Sequence, residues 1–273
     1  MTTDFQKAVL LRNDAAIRDL LAKGVSAEEI NHQDSHGNTP LNYLCAMGIA
    51  EDVIVALIEK GADVKMPNKN GAVPLIHAVY SKMSPVVIKA LVNAGADVNF
   101  QNDSGGTALQ IACVCKAGAD VINALVDLGA DVDLANSHGH TPLTFAVRNH
   151  NDYAIIDLIA GKSKNINAKI DNDDPKYPGF TALHFAAGEG MAAAAAVLIT
   201  HGADTSITNR DGYTPLQLAD ENTHKAMVSS SFARFAQSNP PPAEARAKSV
   251  RAPLRRTSLL AQTTTALMGG GGA

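Results

Sequence analysis

The sequence predicts an all-α protein: a solenoid of about seven helix-turn-helix repeats with β-turn fingers, followed by a disordered C-terminal tail. Three observations support this prediction. A turn-and-helix phrase occurs six times in the 273 residues, its copies are almost evenly spaced, and a second phrase follows at a nearly fixed distance in four of them. Self-similarity at a fixed period indicates stacked units that pack on their neighbours.

The clearest copy of the first phrase runs from Gly139 to Ala146. Gly139 permits a tight turn, and the hydroxyl of Thr141 can cap the first amides of a helix. Pro142 then occupies the first helical position, where a missing N–H costs nothing. Leu143 and Ala146 lie three positions apart and share one helix face. The phrase therefore predicts a turn, a cap and a short helix.

Both phrases recur along the chain. The turn glycines are Gly37, Gly71, Gly105, Gly139, Gly179 and Gly212. The step from one to the next is almost constant, and only the step from Gly139 to Gly179 is clearly longer. The second phrase, Gly-Ala-Asp, begins at Gly61, Gly95, Gly129 and Gly202, each at nearly the same distance after a turn glycine. A glycine there suits the left-handed end of a second helix.

Together the two phrases resemble the ankyrin repeat, a unit of about 33 residues that combines a β-turn with two helices and carries a Thr-Pro-Leu-His-x-Ala signature. The resemblance covers roughly residues 4 to 236 and is to the repeat family, with no single protein identified. It implies a non-catalytic scaffold that binds a partner protein on the concave face of the solenoid.

Residues 1–30 are predicted to form a degenerate N-terminal capping repeat. Thr3 is the expected cap of its first helix, with the Gln6 side chain reaching back to complete a capping box. A second short helix should end before Gly24. Both helices carry polar residues, which suits a terminal repeat because its outer face meets water.

Residues 31–236 are predicted to form six ankyrin repeats. Their second helices are apolar at positions i, i+3 and i+4, as at Val87, Leu91 and Val92. His184 stands at the histidine of the family signature, so the resemblance implies a structural hydrogen bond to a neighbouring turn. Cys45 and Cys113 stand where the family has a small buried residue, which favours free thiols in a reducing compartment.

An enlarged turn is expected at residues 162–178, because the spacing there is longer and no Gly-Ala-Asp phrase occurs. Its acidic run includes Asp173 and Asp174. We interpret it as a solvated loop or partner contact. Calcium binding is the alternative, although the run lacks the glycine and distal glutamate of the helix–loop–helix calcium motif.

Residues 237–273 are predicted to be a disordered tail, since the periodicity ends and Pro, Thr and Gly accumulate. From residue 238 the tail carries five basic side chains and one acidic side chain, so its charge is +4 and the rest of the chain carries −8. Two arginines precede Ser258 in the pattern of a basic-directed kinase site, so Ser258 is a candidate modification site.

Composition and motifs narrow the classes of function. The sequence has no run of about 18 apolar residues, which is the length needed to cross a membrane, and its N-terminus lacks signal-peptide features. No zinc-ligand spacing, phosphate loop or nucleotide-binding fingerprint occurs, so no metal, cofactor or catalytic site is predicted. The acidic body argues against nucleic acid as a partner. We expect a cytoplasmic, monomeric protein with no membrane partner.

The resemblance also implies which residues face a partner: those beside the turn glycine and those ending the first helix. Four aromatic or arginine side chains are the preferred anchors, because such residues dominate interfaces; they are Tyr80, Arg148, Phe180 and Tyr213. The other predicted contacts are His36, Met47, Lys69, Asp103, His138, His140, Asn149 and Arg210.

Two other functions stay open at this point. A secreted bacterial effector or regulator could act on host proteins through the same surface, and would then be translocated to a host cell. A hydrolase with its site in the enlarged turn, at Asp173 or Asp174, is the enzymatic alternative. Separately, Asn99 resembles the turn asparagine that is hydroxylated in some ankyrin repeats.

Overall fold

The computed structural model describes residues 3–48, 50–171 and 174–238. Fifteen helices and no strand are found in this part of the chain. They are α1 (Asp4–Leu10), α2 (Asp14–Lys23), α3 (Ala27–Ile30), α4 (Pro40–Met47), α5 (Glu51–Glu59), α6 (Pro74–Tyr80), α7 (Pro85–Asn93), α8 (Ala108–Cys115), α9 (Ala119–Asp127), α10 (Pro142–Arg148), α11 (Tyr153–Lys162), α12 (Ala182–Gly188), α13 (Ala192–Thr200), α14 (Pro215–Leu218) and α15 (Glu221–Ser238).

These helices form seven consecutive pairs, with α3 as an additional single turn between the first two pairs. The first helices of the pairs pack in one row from α1 through α14, and second helices such as α5, α7 and α9 pack in another. The all-helical repeat solenoid predicted from the sequence is therefore confirmed. The contacts divide the chain into two units, Met1–Phe232 and Ala233–Ala273, and the first contains every turn finger.

Threonine caps and glycine turns shape the repeats as predicted. Thr39 and Thr141 accept hydrogen bonds from the backbone amides three positions on, at 3.1 and 3.3 Å. Gly105 has a φ of 73°, and a β-carbon there would lie 2.7 Å from the Ser137 amide nitrogen of the next finger. Both the left-handed backbone and the close approach of the fingers therefore require glycine at this position.

Backbone hydrogen bonds connect several of the neighbouring fingers. The amide of Lys69 donates to the carbonyl of His36 at 2.9 Å, and that of Ser137 donates to Ser104 at 3.1 Å. The amide of Arg210 reaches the carbonyl of Pro178 at 3.1 Å. These bonds fix the register between neighbouring repeats.

A second connection between repeats uses side chains of alternate repeats. The side-chain amide nitrogen of Asn31 donates to the Gly61 carbonyl at 3.2 Å. The side-chain oxygen of Asn31 accepts from the backbone amide of Asp63 at 2.8 Å. Asn99, two repeats further on, makes the same pair of bonds to Gly129 and Asp131. The oxygen of Asn167, again two repeats on, accepts from the Asp204 amide at 2.9 Å. We call these three residues the asparagine staples.

The hydrophobic core runs continuously through the repeats. Five of the six phrase leucines are at most 2% exposed, and Leu216 is half-buried; the five are Leu41, Leu75, Leu109, Leu143 and Leu183. Cys45 and Cys113 are fully buried free thiols, as predicted, and burial raises the pKa of Cys113 to about 12. Burial likewise raises the pKa of Cys45. Both thiols are therefore inert at neutral pH.

The N-terminal repeat differs from the prediction in two details. Thr3 caps α1 by accepting from the Gln6 amide at 3.1 Å, but the Gln6 side chain does not reach back. Instead its amide group donates to the Asn38 carbonyl in the first finger at 3.3 Å. The sequence prediction also missed α3, although Ser26 and Glu29 form a capping box that signals a helix start.

The enlarged turn is shorter than predicted, because residues 163–167 keep the pattern of the other repeats. The Lys164 amide donates to the carboxylate of Asp133 at 2.7 Å, and Asn167 forms its staple. The additional residues therefore lie after Asn167. At the other end of the chain, α15 reaches Ser238, slightly beyond the predicted start of the tail. The remainder of that tail, including Ser258, lies outside the described residues.

Candidate protein-binding surface

The turn fingers and the exposed side of the first helices α4, α6, α8, α10 and α12 form one surface, here called the first-helix face. Predicted contact residues at the finger tips are exposed: His36, Lys69, Asp103, His138, Arg210 and Tyr213. At the helix ends Tyr80 is exposed, whereas Met47, Arg148 and Asn149 are half-buried. Phe180, at the base of a finger, is half-buried as well.

A row of half-buried side chains that was not predicted from the sequence crosses this face. The row consists of Tyr43, His77, Ile111 and Phe145, each two positions after the phrase leucine. The Tyr43 hydroxyl donates to Asp34, and the His77 ring lies 3.2 Å from the amide of Asn68, so both side chains turn toward their own finger. These four residues occupy the same position of successive repeats, so the repeat spacing could have identified the row.

Beside this row, the ends of the first helices carry the most exposed apolar groups of the face. Tyr80 ends α6 and is 68% exposed, and Val114 in α8 is 43% exposed. Neighbouring helix ends are held together, because the Ser81 hydroxyl donates to the Ala46 carbonyl at 2.7 Å. The Cys115 thiol lies 3.7 Å from the Val79 carbonyl in the same way. Tyr80 and Val114 therefore belong to one contiguous surface.

The enlarged turn brings two of the predicted anchors into a single cluster around Tyr177. The Tyr177 ring packs edge-on against Phe180 and Phe185, with ring centres 5.6 and 4.8 Å away. The Arg148 guanidinium lies over the same ring at 4.9 Å, and the Lys176 ammonium lies at 5.1 Å. Sequence reasoning found Arg148 and Phe180 but missed Tyr177, because nothing in the repeat pattern indicates where an insertion folds.

His140 was predicted to face a partner, and this is wrong, because its side chain is buried. The residue is only 5% exposed, its ring stacks on Phe145 at 5.0 Å, and its Nε2 lies 3.3 Å from the carboxylate of Asp174. Burial lowers the pKa of His140, and the neighbouring Asp174 opposes that shift only in part. The Nδ1 atom has no hydrogen-bond partner among the described residues.

Asp174 anchors the enlarged turn from inside. Its Oδ1 accepts hydrogen bonds from the amides of Lys176 at 2.9 Å and Tyr177 at 2.7 Å, while Oδ2 faces His140. Burial acts to raise the pKa of Asp174, but these hydrogen bonds outweigh it and the pKa is lowered. Its oxygens are thus used for structure, and no group of three metal-ligating side chains is found in the described residues. Asp173 lies outside them.

His184 has the structural role that the resemblance implied. Its Nδ1 accepts from the Thr181 amide at 3.1 Å, so Nε2 carries the proton and donates to the Tyr213 carbonyl at 3.1 Å. Burial lowers the pKa of His184, which keeps the ring neutral at physiological pH. Asn99 also has a structural role, because its side chain is a staple; its hydroxylation stays a prediction.

Charge is distributed unevenly between the two sides of the repeats. The central part of the first-helix face carries four basic residues, Lys69, Lys82, Lys116 and Arg148, and two acidic tip residues, Asp103 and Asp171. The carboxylates of the Gly-Ala-Asp phrases lie instead after the second helices, where each accepts a backbone amide two positions on; they are Asp63, Asp97, Asp131 and Asp204. The central face is therefore basic although the protein carries a net −4.

A cleft of about 470 Å³ lies at the N-terminal end of the face. Leu10 and Tyr43 line it together with residues of the first finger, including the predicted contact His36. Its Asp34 carboxylate already accepts the Tyr43 hydroxyl and the amides of His36 and Asn38. The cleft is open and its acidic group is satisfied, which suits a protein contact better than a catalytic group.

Comparison with known families identifies the architecture. The family model described as "Ankyrin repeats (3 copies)" matches residues 5–102, 81–170 and 158–230. The chain belongs to the ankyrin-repeat family. Domains of this family generally mediate protein–protein interactions and are typically non-enzymatic scaffolds.

Solved structures agree with this assignment. The ankyrin-repeat domain of Bcl-3, described as a unique member of the IkappaB protein family, is 25% identical with a TM-score of 0.68, covering 83% of this chain and 98% of its own. The human ASB11 ankyrin-repeat domain is 21% identical with a TM-score of 0.68, covering 84% and 97%. No curated protein sequence matches the chain significantly. Within the described residues, no helix is long and apolar enough to span a membrane.

Proposed function

We propose that this protein is a non-catalytic scaffold that binds a partner protein on the first-helix face, which corresponds to the concave face of the ankyrin solenoid. The observation that carries this proposal is the continuous set of exposed and half-exposed aromatic and apolar side chains along successive first helices, from Tyr43 through Tyr80 to Val114. Exposed groups of this kind are the usual anchors of interfaces.

The anchors differ in how much free surface they offer. Tyr80 and Tyr213 are 68% and 51% exposed, so a partner can bury a large part of each ring. Arg148 and Phe180 are already packed on Tyr177. We therefore assign Tyr80 and Tyr213 the larger share of the binding energy, with Arg148 and Phe180 contributing through the edge of the Tyr177 cluster.

The proposed location is the cytoplasm, and the proposed state is a monomer bound to one partner at a time. A bacterial effector translocated to a host cell would use the same surface, so the surface test below applies to it equally. No observation favours a hydrolase in the enlarged turn, because Asp174 is committed to backbone amides and His140.

The experiment is an affinity enrichment with the full chain, followed by quantitative binding of the enriched partner to purified variants. Tyr80→Ala and Tyr213→Ala should each weaken binding at least about tenfold, since hot-spot aromatics contribute about 2 kcal/mol or more. Tyr153→Ala is the matched control, because Tyr153 is 49% exposed but begins the second helix α11. Binding that depends on Tyr153 and not on Tyr80 or Tyr213 would overturn the proposal.

A further inference from the structure

The loops that follow the first helices hold non-glycine residues in a left-handed backbone conformation. Lys82 and Lys116 have φ values of 57° and 51°, and His150 occupies the same position in its repeat. Two other repeats have glycine there, Gly48 and Gly190. Residues with a β-carbon are disfavoured at positive φ, and such outliers concentrate at functional sites.

The ammonium groups of Lys82 and Lys116 have no hydrogen bond or ion pair with any described residue. Both side chains are exposed. Several other cations are paired: Arg18 binds Asp52, and Lys23 binds Asp19 at 2.5 Å. The backbone of each lysine is held by its own repeat, since the Lys82 amide donates to the Val79 carbonyl at 3.0 Å and the Lys116 amide donates to the Ala112 carbonyl. The two ammonium groups have no such bond and can meet a partner.

The two lysines lie next to the exposed apolar groups of the face. Lys82 follows Tyr80 by two positions, and Lys116 follows Val114 by two positions, in neighbouring repeats. Packed helices are about 8–10 Å apart, which is the rise of about three residues of an extended or polyproline-type chain. An extended segment lying across the helix ends would thus advance about three residues from one repeat to the next. In each repeat it would meet one lysine and one apolar side chain.

We propose that the partner presents an extended acidic segment, with an acidic residue at about every third position and apolar residues between them, and that this segment binds across the ends of α6 and α8 on Lys82, Lys116, Tyr80 and Val114. This inference rests on the proposed function and adds the partner's chemistry to it. The basic centre of the face attracts such a segment and repels basic ones. Nucleic acid fits less well, because the protein as a whole is acidic.

The test uses a fluorescein-labelled peptide of four Glu-Leu-Ser units and a matched peptide of four Lys-Leu-Ser units. Their affinities for the full chain are measured by anisotropy at low and moderate salt. The Glu peptide should bind at least tenfold more tightly, and added salt should weaken it. The double variant Lys82→Glu/Lys116→Glu should lose at least tenfold in affinity for the Glu peptide.

The matched control is Lys60→Glu/Lys89→Glu, which makes the same change in net charge at exposed residues associated with the second helices. It should bind the Glu peptide nearly as well as wild type. Lys82→Gly/Lys116→Gly is the second variant, because it removes the charges while favouring the observed loop backbone. It should fold as wild type does and lose affinity too.

Three results would each overturn the inference: no preference for the Glu peptide, equal losses in both charge-reversed variants, or tighter binding of a short single-stranded RNA through the same lysines. The proposed function is tested separately by Tyr80→Ala and Tyr213→Ala with the enriched partner. If binding of that partner requires the tyrosines but is unchanged in both lysine double variants, the proposal of an acidic segment is wrong and the proposed scaffold function is retained.

Discussion

Two regions of the same face use equivalent positions in opposite ways. In the regular repeats of α6 to α9, Tyr80 and Lys82 at the end of a first helix face solvent without a partner from the described chain. In the repeats around the enlarged turn, Arg148 holds the position equivalent to Tyr80 and covers the ring of Tyr177. The inserted residues therefore cover that part of the face with a side chain of the protein itself. Insertion into one finger can therefore reduce the exposed area of the face without changing the repeats on either side.

The largest expected effect tests whether the two regions share one core. Leu143 is 2% exposed in α10, which packs between α8 and α12, and Leu75 is its equivalent in α6. Leu143→Ala and Leu75→Ala should each destabilise the protein by about 2–5 kcal/mol in urea unfolding. Tyr80→Ala, at the exposed end of α6, is the control and should change stability by less than about 0.5 kcal/mol. An effect at Leu75 but none at Leu143 would show that the region around the enlarged turn is not part of the continuous core.

A smaller effect is expected from releasing the enlarged turn. Asp174→Ala removes the acceptor of two backbone amides and the partner of His140, so it should cost about 1–3 kcal/mol. Hydrogen exchange should accelerate in residues 174–180 and stay unchanged in residues 71–130. Asp171→Ala is the control, because Asp171 is exposed and the amides of Lys176 and Tyr177 donate to Asp174 instead. Equal protection in the two variants would contradict the anchoring role of Asp174.

The smallest expected effect is the pH dependence of stability, which also distinguishes the regular repeats from the region around the enlarged turn. Burial lowers the pKa of His77, His140 and His184, so the folded protein binds protons less readily than the unfolded chain at these three sites. Their contribution to stability is complete above the unfolded value of about 6.5 and is lost as the pH falls below it toward the lowered folded pKa values.

Two of these three histidines lie beside the enlarged turn or in the repeat after it. The urea concentration at half-unfolding should therefore decrease as the pH is lowered from 7.5 to 5.5. His140→Gln should make that decrease smaller. A midpoint that rises on acidification would mean that the histidines are charged in the folded state.

Local signals in the sequence were enough to predict most of the fold. The spacing of Gly105 and its counterparts, the Thr141 cap and the signature position of His184 each encode a contact within one repeat or between adjacent repeats, so the repeat pattern contains them. The Tyr177 cluster and the burial of His140 could not be predicted in this way. They depend on where an irregular insertion folds, and no other repeat in the chain provides a template for it.

The asparagine staples bear on how the chain can be shortened or lengthened. Asn31, Asn99 and Asn167 recur in every second repeat, and the intervening repeats have Lys65 and Asp133 at that place. The Asp133 carboxylate makes a related bond to the Lys164 amide at 2.7 Å, so only the asparagine form of the connection alternates. A designed deletion or insertion of one whole pair returns every staple to the kind of neighbour it has now, whereas removal or addition of a single repeat puts the alternation out of step.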